Sequence, residues 1–250
     1  MESYTKKNIE TIEGWIEDGW EWGAPIDTET YRKAKNGEWD IYLTPTRPVP
    51  HDYFPPLKGA KVLGLASGGG QQMPIMAALG AEVTLLDLSQ VQLDTDAKVA
   101  RREKYDIRLV NGDITKPLPF KSNTFDLILF PVANCYIESL YPLYKEISRI
   151  LKQGGILLSG LDNGLSYLLD GNGLLLSGHL PFNPLKSKQD LQYCESHDCG
   201  YQFSHDITEN IQGQIEAGLT LTHVSSDTLN AEPYKSKNIP FFYLSRSIKL

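Results

Sequence analysis

The sequence predicts an α/β fold, a mostly parallel sheet with helices on both faces. Three observations carry this reading. From Ala60 onward, short unbroken apolar runs alternate with segments of helical period. A glycine cluster, Gly68–Gly69–Gly70, directly follows the first apolar run and precedes a helical segment. The last two apolar runs have no helix between them, which predicts an antiparallel hairpin at the edge of the sheet.

Residues 1–56 differ from the rest. They hold all four tryptophans, Trp15, Trp20, Trp22 and Trp39. A helix through Asn8–Asp18 places Ile9, Ile12, Trp15 and Ile16 on one face. Pro45, Pro48, Pro50, Pro55 and Pro56 then exclude regular structure. The stretch reads as a helical N-terminal extension with a stiff connector. It precedes the first strand, so Trp22, Trp39 and Tyr53 are expected to form a lid over the strand ends.

The main domain, 57–250, opens with a strand at Lys61–Leu65 and a helix at Gln72–Leu79. A strand at Glu82–Leu86 follows, then a helix at Ser89–Lys104, opened by Ser89 with Gln92 as a capping box. Ile107–Val110 and Phe125–Phe130 are strands. Tyr141–Leu151 is a helix stopped by Gly154–Gly155, and Ile156–Ser159 is the next strand. Residues 163–200, rich in Gly, Pro, Ser and Tyr, read as a cap-like insertion. A helix at Ile207–Ala217 and strands at Leu219–Ser225 and Phe241–Ile248 complete the chain.

Composition narrows the function. The net charge is -7, and phosphate backbones call for a basic face, so no nucleic-acid partner is expected. The densest basic cluster, Arg101, Arg102 and Lys104, falls on a helix and reads as a solvated face. Cys135, Cys194 and Cys199 are too few for a disulfide framework in 250 residues. The N-terminus lacks the apolar stretch of a signal peptide, and no apolar run is long enough to span a bilayer. The expected setting is the cytoplasm, with no membrane partner. Cys194, Cys199, His197 and His205 have the chemistry of zinc ligands, but no paired CxxC; no metal is expected.

The chemistry gathers at strand ends. Glycines after the first strand let a backbone approach a ligand, and the following helix N-terminus offers free N–H groups; a glycine turn alone can equally be a tight connection. Asp87 ends the second strand, where a carboxylate can accept both ribose hydroxyls of an adenosine. Asp113 follows the third strand in VNGDIT, where it suits the adenine amino group or an Asx-type turn equally well.

The segments VLGLASGGGQQ, LLDLS, VNGDIT, FDLILFPVANCY and RILKQGGILLSG resemble, in order and spacing, the class I S-adenosylmethionine-dependent methyltransferases of the broad small-molecule type. The glycine loop, with the tryptophan-rich N-terminus, is similar to a bacterial subgroup reading ASGGGQQ. The resemblance implies a Rossmann-like seven-stranded sheet whose last strand is antiparallel. It implies S-adenosyl-L-methionine as cofactor and a small-molecule acceptor. It places Ala66, Ser67, Gly68, Gly69, Gly70, Gln71 and Gln72 along the methionine and ribose side. Asp87 and Leu88 fall at the ribose, Gly112, Asp113 and Ile114 at the adenine, and Phe130, Pro131 and Val132 under the methyl-donor centre. Asn134 and Tyr136 are the catalytic candidates, against helix capping and core packing. The family's acidic residue before the glycine turn is here Gly64, and its first glycine is Ala66. Backbone carbonyls near Ala66, or the amides of Gln71 and Gln72, are candidates to hold the cofactor ammonium instead.

Two rivals stand beside this reading. An NAD-linked oxidoreductase would need G-x-G-x-x-G, and Met73 occupies the third glycine position. A non-catalytic adenosyl-ligand-binding protein finds support in the missing acid at Gly64. Phe130–Pro131–Val132–Ala133 does not match the Pro-Pro motif of nucleic-acid amino methylation.

Overall fold

The computed structural model describes residues 4–169 and 178–250. Its strands are β1 (Lys61–Leu65), β2 (Glu82–Asp87), β3 (Ile107–Asn111), β4 (Phe125–Phe130), β5 (Leu151–Asp162), β6 (Leu219–Asp227) and β7 (Phe242–Lys249). They form one seven-stranded sheet in the order β3-β2-β1-β4-β5-β7-β6. β1 to β5 pair in parallel. β7 lies antiparallel between β5 and β6, from Ile156↔Ile248 to Asp162↔Phe242 on the β5 side. The final hairpin thus closes the sheet edge, as expected.

Pleating divides the strand side chains between two cores. In β4, Leu127 and Leu129 join one cluster, while Ile128 and Phe130 join the other. On the second face, α5 (Tyr141–Ile150) buries Leu143, Tyr144, Ile147 and Ile150. On the first face lie α3 (Gln72–Ala78) and α4 (Gln90–Glu103), with a second helix of the extension, α2 (Thr28–Lys35). Ala34, Ile41, Leu43 and Val49 of the extension are buried in the same cluster as Val62, Met76 and Leu85. The extension is therefore built into the core of that face.

Several elements differ from the sequence expectation. α1 runs over Tyr4–Glu17, and its buried residues are Asn8 and Thr11 instead of the isoleucines. α2 was not expected; Asp27 caps it by accepting the Thr30 N–H at 2.7 Å. α5 stops at Ile150, before the glycines, because Leu151 already pairs with Phe125; the glycines instead sit in an irregular stretch of β5. The 163–200 segment contains α6 (Lys188–His197), capped by Ser187. The expected helix at Ile207–Ala217 is a π-turn, Thr208–Gln212, followed by α7 (Gly213–Glu216). The π-turn carries Asn210 inward, where its amide donates to Asp162 O and His205 O, each at 3.0 Å.

Candidate active site

At the end of β1 the backbone turns through Ala66, which holds a left-handed φ of 49°. That conformation costs a non-glycine residue roughly 1–2 kcal/mol. Gly68 follows, and its N–H donates to Asp87 Oδ2 at 2.9 Å. A Cβ on Gly68 would lie 2.5 Å from Gln92 Cβ and 2.8 Å from Asp87 Oδ2, so glycine is required by close approach. The other Asp87 oxygen accepts the Ser89 N–H at 3.0 Å. Ser89 caps α4 by accepting from Gln92 N, so the capping box is formed on one side and Asp87 replaces its second half. Burial pushes the Asp87 carboxyl up despite its backbone donors.

Asp96 was not expected in the site from the sequence. This α4 residue is fully buried, and its Oδ2 accepts the N–H groups of both Gly69 and Gly70, at 3.0 and 2.9 Å. Its Oδ1 has no partner. Burial raises its pKa to about 7, opposed by those two bonds. A lone aspartate in a polar helix gives no sequence signal for such a role.

A cavity of about 280 Å³ opens where the sheet order reverses between β1 and β4. It is walled by Ala66, Ser67, Gly68, Gln71, Gln72, Asp87, Leu88, Gly112, Asp113, Ile114, Pro131 and Val132. Three residues expected beside them stand elsewhere. Gly69 and Gly70 give their N–H groups to Asp96, and the Phe130 side chain is fully buried in the core. Asp113 Oδ1 accepts the Thr115 N–H at 2.8 Å, so this residue both makes the Asx turn and faces the cavity.

The amides of Gln71 and Gln72 have work of their own. Gln71 Nε2 donates to Glu21 O and Ala24 O, each at 3.0 Å. Gln72 donates to Tyr42 O and accepts from Ser67 Oγ. Both residues clamp the N-terminal extension to the glycine loop. At Gly64 a Cβ would lie 2.9 Å from Met73 Sδ, so an acidic side chain there would require Met73 to move.

Asn134 is buried behind the wall. It donates to Asp162 O and Asn210 Oδ1 and accepts from Asp162 N, at 2.8, 3.0 and 2.9 Å. With its amide so committed it holds the loop after β4, and it is not among the residues that wall the cavity. His205 braces the same loop through Asn134 O and Ile137 O, at 3.0 and 2.8 Å, and meets Glu209 at 2.9 Å. Tyr136 does line the cavity. Burial pushes its phenol well up, so it stays protonated and is a poor base.

The remaining wall comes from the extension and β7: Ile9, Ile12, Trp20, Trp22, Leu43 and Phe242 among others. α1 is held across it by Asn8, bonded to both the N–H and C=O of Tyr201 at 2.6 and 2.9 Å, and by Glu13, which accepts from Ser89 Oγ. Trp39 and Tyr53 lie away from this wall. Trp39 stacks on His51 at 3.9 Å, and Tyr53 meets His223. Cys199 N–H donates to Cys194 O, whereas His205 is bound at the β4 loop. Among the described residues no three His, Cys, Asp or Glu could share a metal ion, and no helix is long and apolar enough to cross a membrane.

Fold and site define a Rossmann-like α/β protein with a ligand cavity at its topological switch point. The methyltransferase domain family matches residues 63–159. The chain is 38% identical over 234 residues to the uncharacterized methyltransferase YbaJ of Bacillus subtilis (strain 168), covering 91% of this chain and 92% of the relative. An S-adenosylmethionine dependent methyltransferase structure from Mesorhizobium loti matches with a TM-score of 0.64 at 17% identity, covering 79% of this chain and 94% of its own. Geranyl diphosphate C-methyltransferase from Streptomyces coelicolor A3(2), solved with Mg2+, geranyl diphosphate and S-adenosyl-L-homocysteine, matches with a TM-score of 0.52 at 16% identity, over 77% and 74% of the two chains. The chain belongs to the methyltransferase family. The cavity's residues fit a sulfonium cofactor: Gln92 lines it with a buried Oε1 that has no partner, and no Lys, Arg or His among the described residues stands on the wall to oppose the charge.

Proposed function

We propose that the chain transfers a methyl group from S-adenosylmethionine to a small-molecule acceptor held in this cavity, and that its glycine loop marks the ASGGGQQ subgroup. The observation that carries the reading is the convergence of Asp87, Asp113 and the Gly68 turn, from three neighbouring strands, on one wall. When bound along the Gly68 turn, Asp87 and Asp113, the cofactor would supply an activated methyl group to the acceptor.

The protein's part is to bind, align and exclude water. Asp87 accepts the ribose hydroxyls while Gly68 and Ser89 N–H fix its carboxylate. The second oxygen of Asp113 takes the adenine amino group, with Ile114 against the ring. Gln71 Oε1, on the amide anchored to Glu21 O and Ala24 O, serves the ammonium in place of an acid at Gly64. Pro131 and Val132 form the floor beneath the reacting centre, and Tyr136 offers a neutral hydroxyl beside it. Trp20 and Trp22 cover the site as a lid.

Calorimetric titration with S-adenosylhomocysteine and, in parallel, NAD tests this. The expected result is binding of the adenosyl ligand alone, weakened at least about tenfold in Asp113→Ala by loss of a charge-assisted hydrogen bond. Equal affinity in the variant would remove Asp113 from the site, and binding of NAD alone would overturn the function.

A further inference from the structure

We infer that the methyl acceptor is an uncharged, largely apolar small molecule. The inference rests on assigning the strand-end half of the cavity to the cofactor and concerns the other half. That half is walled by Ile9 and Ile12 of α1, Trp22, Leu43, Ile137 and Phe242. Ile9 and Ile12 are half-buried in the folded protein, because α1 turns them toward the cavity and not into a core. A ligand covering them removes apolar surface from water.

Two polar side chains of this half, Asn8 and Gln72, are already committed. Asn8 spends its amide on the Tyr201 backbone, and Gln72 spends both ends on Ser67 and Tyr42. Tyr136 adds only a neutral hydroxyl. Among the described residues the cavity wall carries no Lys, Arg or His, and its ionisable carboxylates are Asp87 and Asp113. Two cations of neighbouring elements lie with other partners: Lys7 stands by the exposed Asp198, and Arg102 donates to Ile26 O and Glu103. A phosphate or carboxylate would find no cationic side chain on the wall to pair with, and burying a charge without a side-chain partner is costly. An ammonium must lose a proton before it can attack, and the wall has no histidine or lysine to take it.

The test uses two probes with one aromatic skeleton, neutral phenylnaphthylamine and anionic anilinonaphthalene sulfonate. Each is titrated by fluorescence into the full chain saturated with S-adenosylhomocysteine. The neutral probe should bind one to one and the sulfonate at least about tenfold more weakly. Ile12→Lys, or Ile9→Lys if the first variant does not fold, should reverse that preference. Equal or tighter binding of the sulfonate by the unaltered chain overturns the inference. So does failure of the neutral probe while S-adenosylhomocysteine binds, a result that leaves the methyltransferase reading intact. An unchanged preference in a folded lysine variant places the probe outside this half and overturns it too. Failure of S-adenosylhomocysteine itself overturns both readings.

Discussion

Asp96 shows how much of this site depends on single buried groups. Its carboxylate gathers the Gly69 and Gly70 N–H groups and so shapes the turn that Gly68 and Asp87 complete. Burial lifts its pKa from 3.8 to about 7, above the value it has in an unfolded chain. Between those values the folded state holds a proton that the unfolded state has lost. Stability from Asp96 is therefore full below about pH 4 and lost as pH rises to about 7. Asp162, lifted to about 6 by burial, acts in the same direction. Thermal unfolding compared across this range should show the melting temperature of Asp96→Asn falling less, or rising more, with pH than that of the unaltered chain. Carboxylates held low, such as Glu209 and Asp227, act in the opposite direction in both. An unchanged slope in the variant would exclude Asp96 as its source. Asp87 was legible in the sequence because it ends an apolar run beside a glycine turn. Asp96 was not, because its partners are backbone N–H groups brought near only by folding.

At the level of elements, legibility followed burial. The parallel strands are covered on both faces and read as unbroken apolar runs, so β1, β2 and β4 stood out. α2 buries only Tyr31 and Ala34 in a charged sequence, and α6 only Asp190 and Cys194, so neither carries an apolar period. The π-turn is set by a buried polar network around Asn134, Asn210 and Asp162, which no periodicity reports. α1 was legible as a helix, but its apolar face meets a cavity, a fact visible only once Asn8 and Tyr201 are joined. The expected tryptophan lid divides in the same way: Trp22 reaches the cavity wall and Trp39 stacks on His51. Intrinsic fluorescence should therefore change on adding S-adenosylhomocysteine. Trp22→Phe should remove most of the change and Trp39→Phe little of it. The opposite pattern would move the lid to Trp39.

Over the whole molecule, the sheet order places the site and the extension completes it. β1 and β4 are neighbours whose connections, to β2 and to β5, run toward opposite ends of the sheet, which opens the crevice where Gly68, Asp87 and Pro131 meet. The extension closes that crevice from outside while contributing Ile41, Leu43 and Val49 to the core. Burying three such side chains is worth roughly 1.5–3 kcal/mol each, a large part of the 5–15 kcal/mol that stabilises an ordinary domain. One segment thus serves both stability and the acceptor side of the site. A second groove, lined by Lys33, Trp39 and Ile75, lies beyond Trp22 and Tyr42 and is the natural competitor for any ligand. The direct test is a crystal structure with S-adenosylhomocysteine. The ribose hydroxyls are expected within hydrogen-bonding distance of Asp87, and the adenine beside Asp113 and Ile114. A nucleoside seated in the second groove, or turned with its adenine toward Gln71, would contradict it.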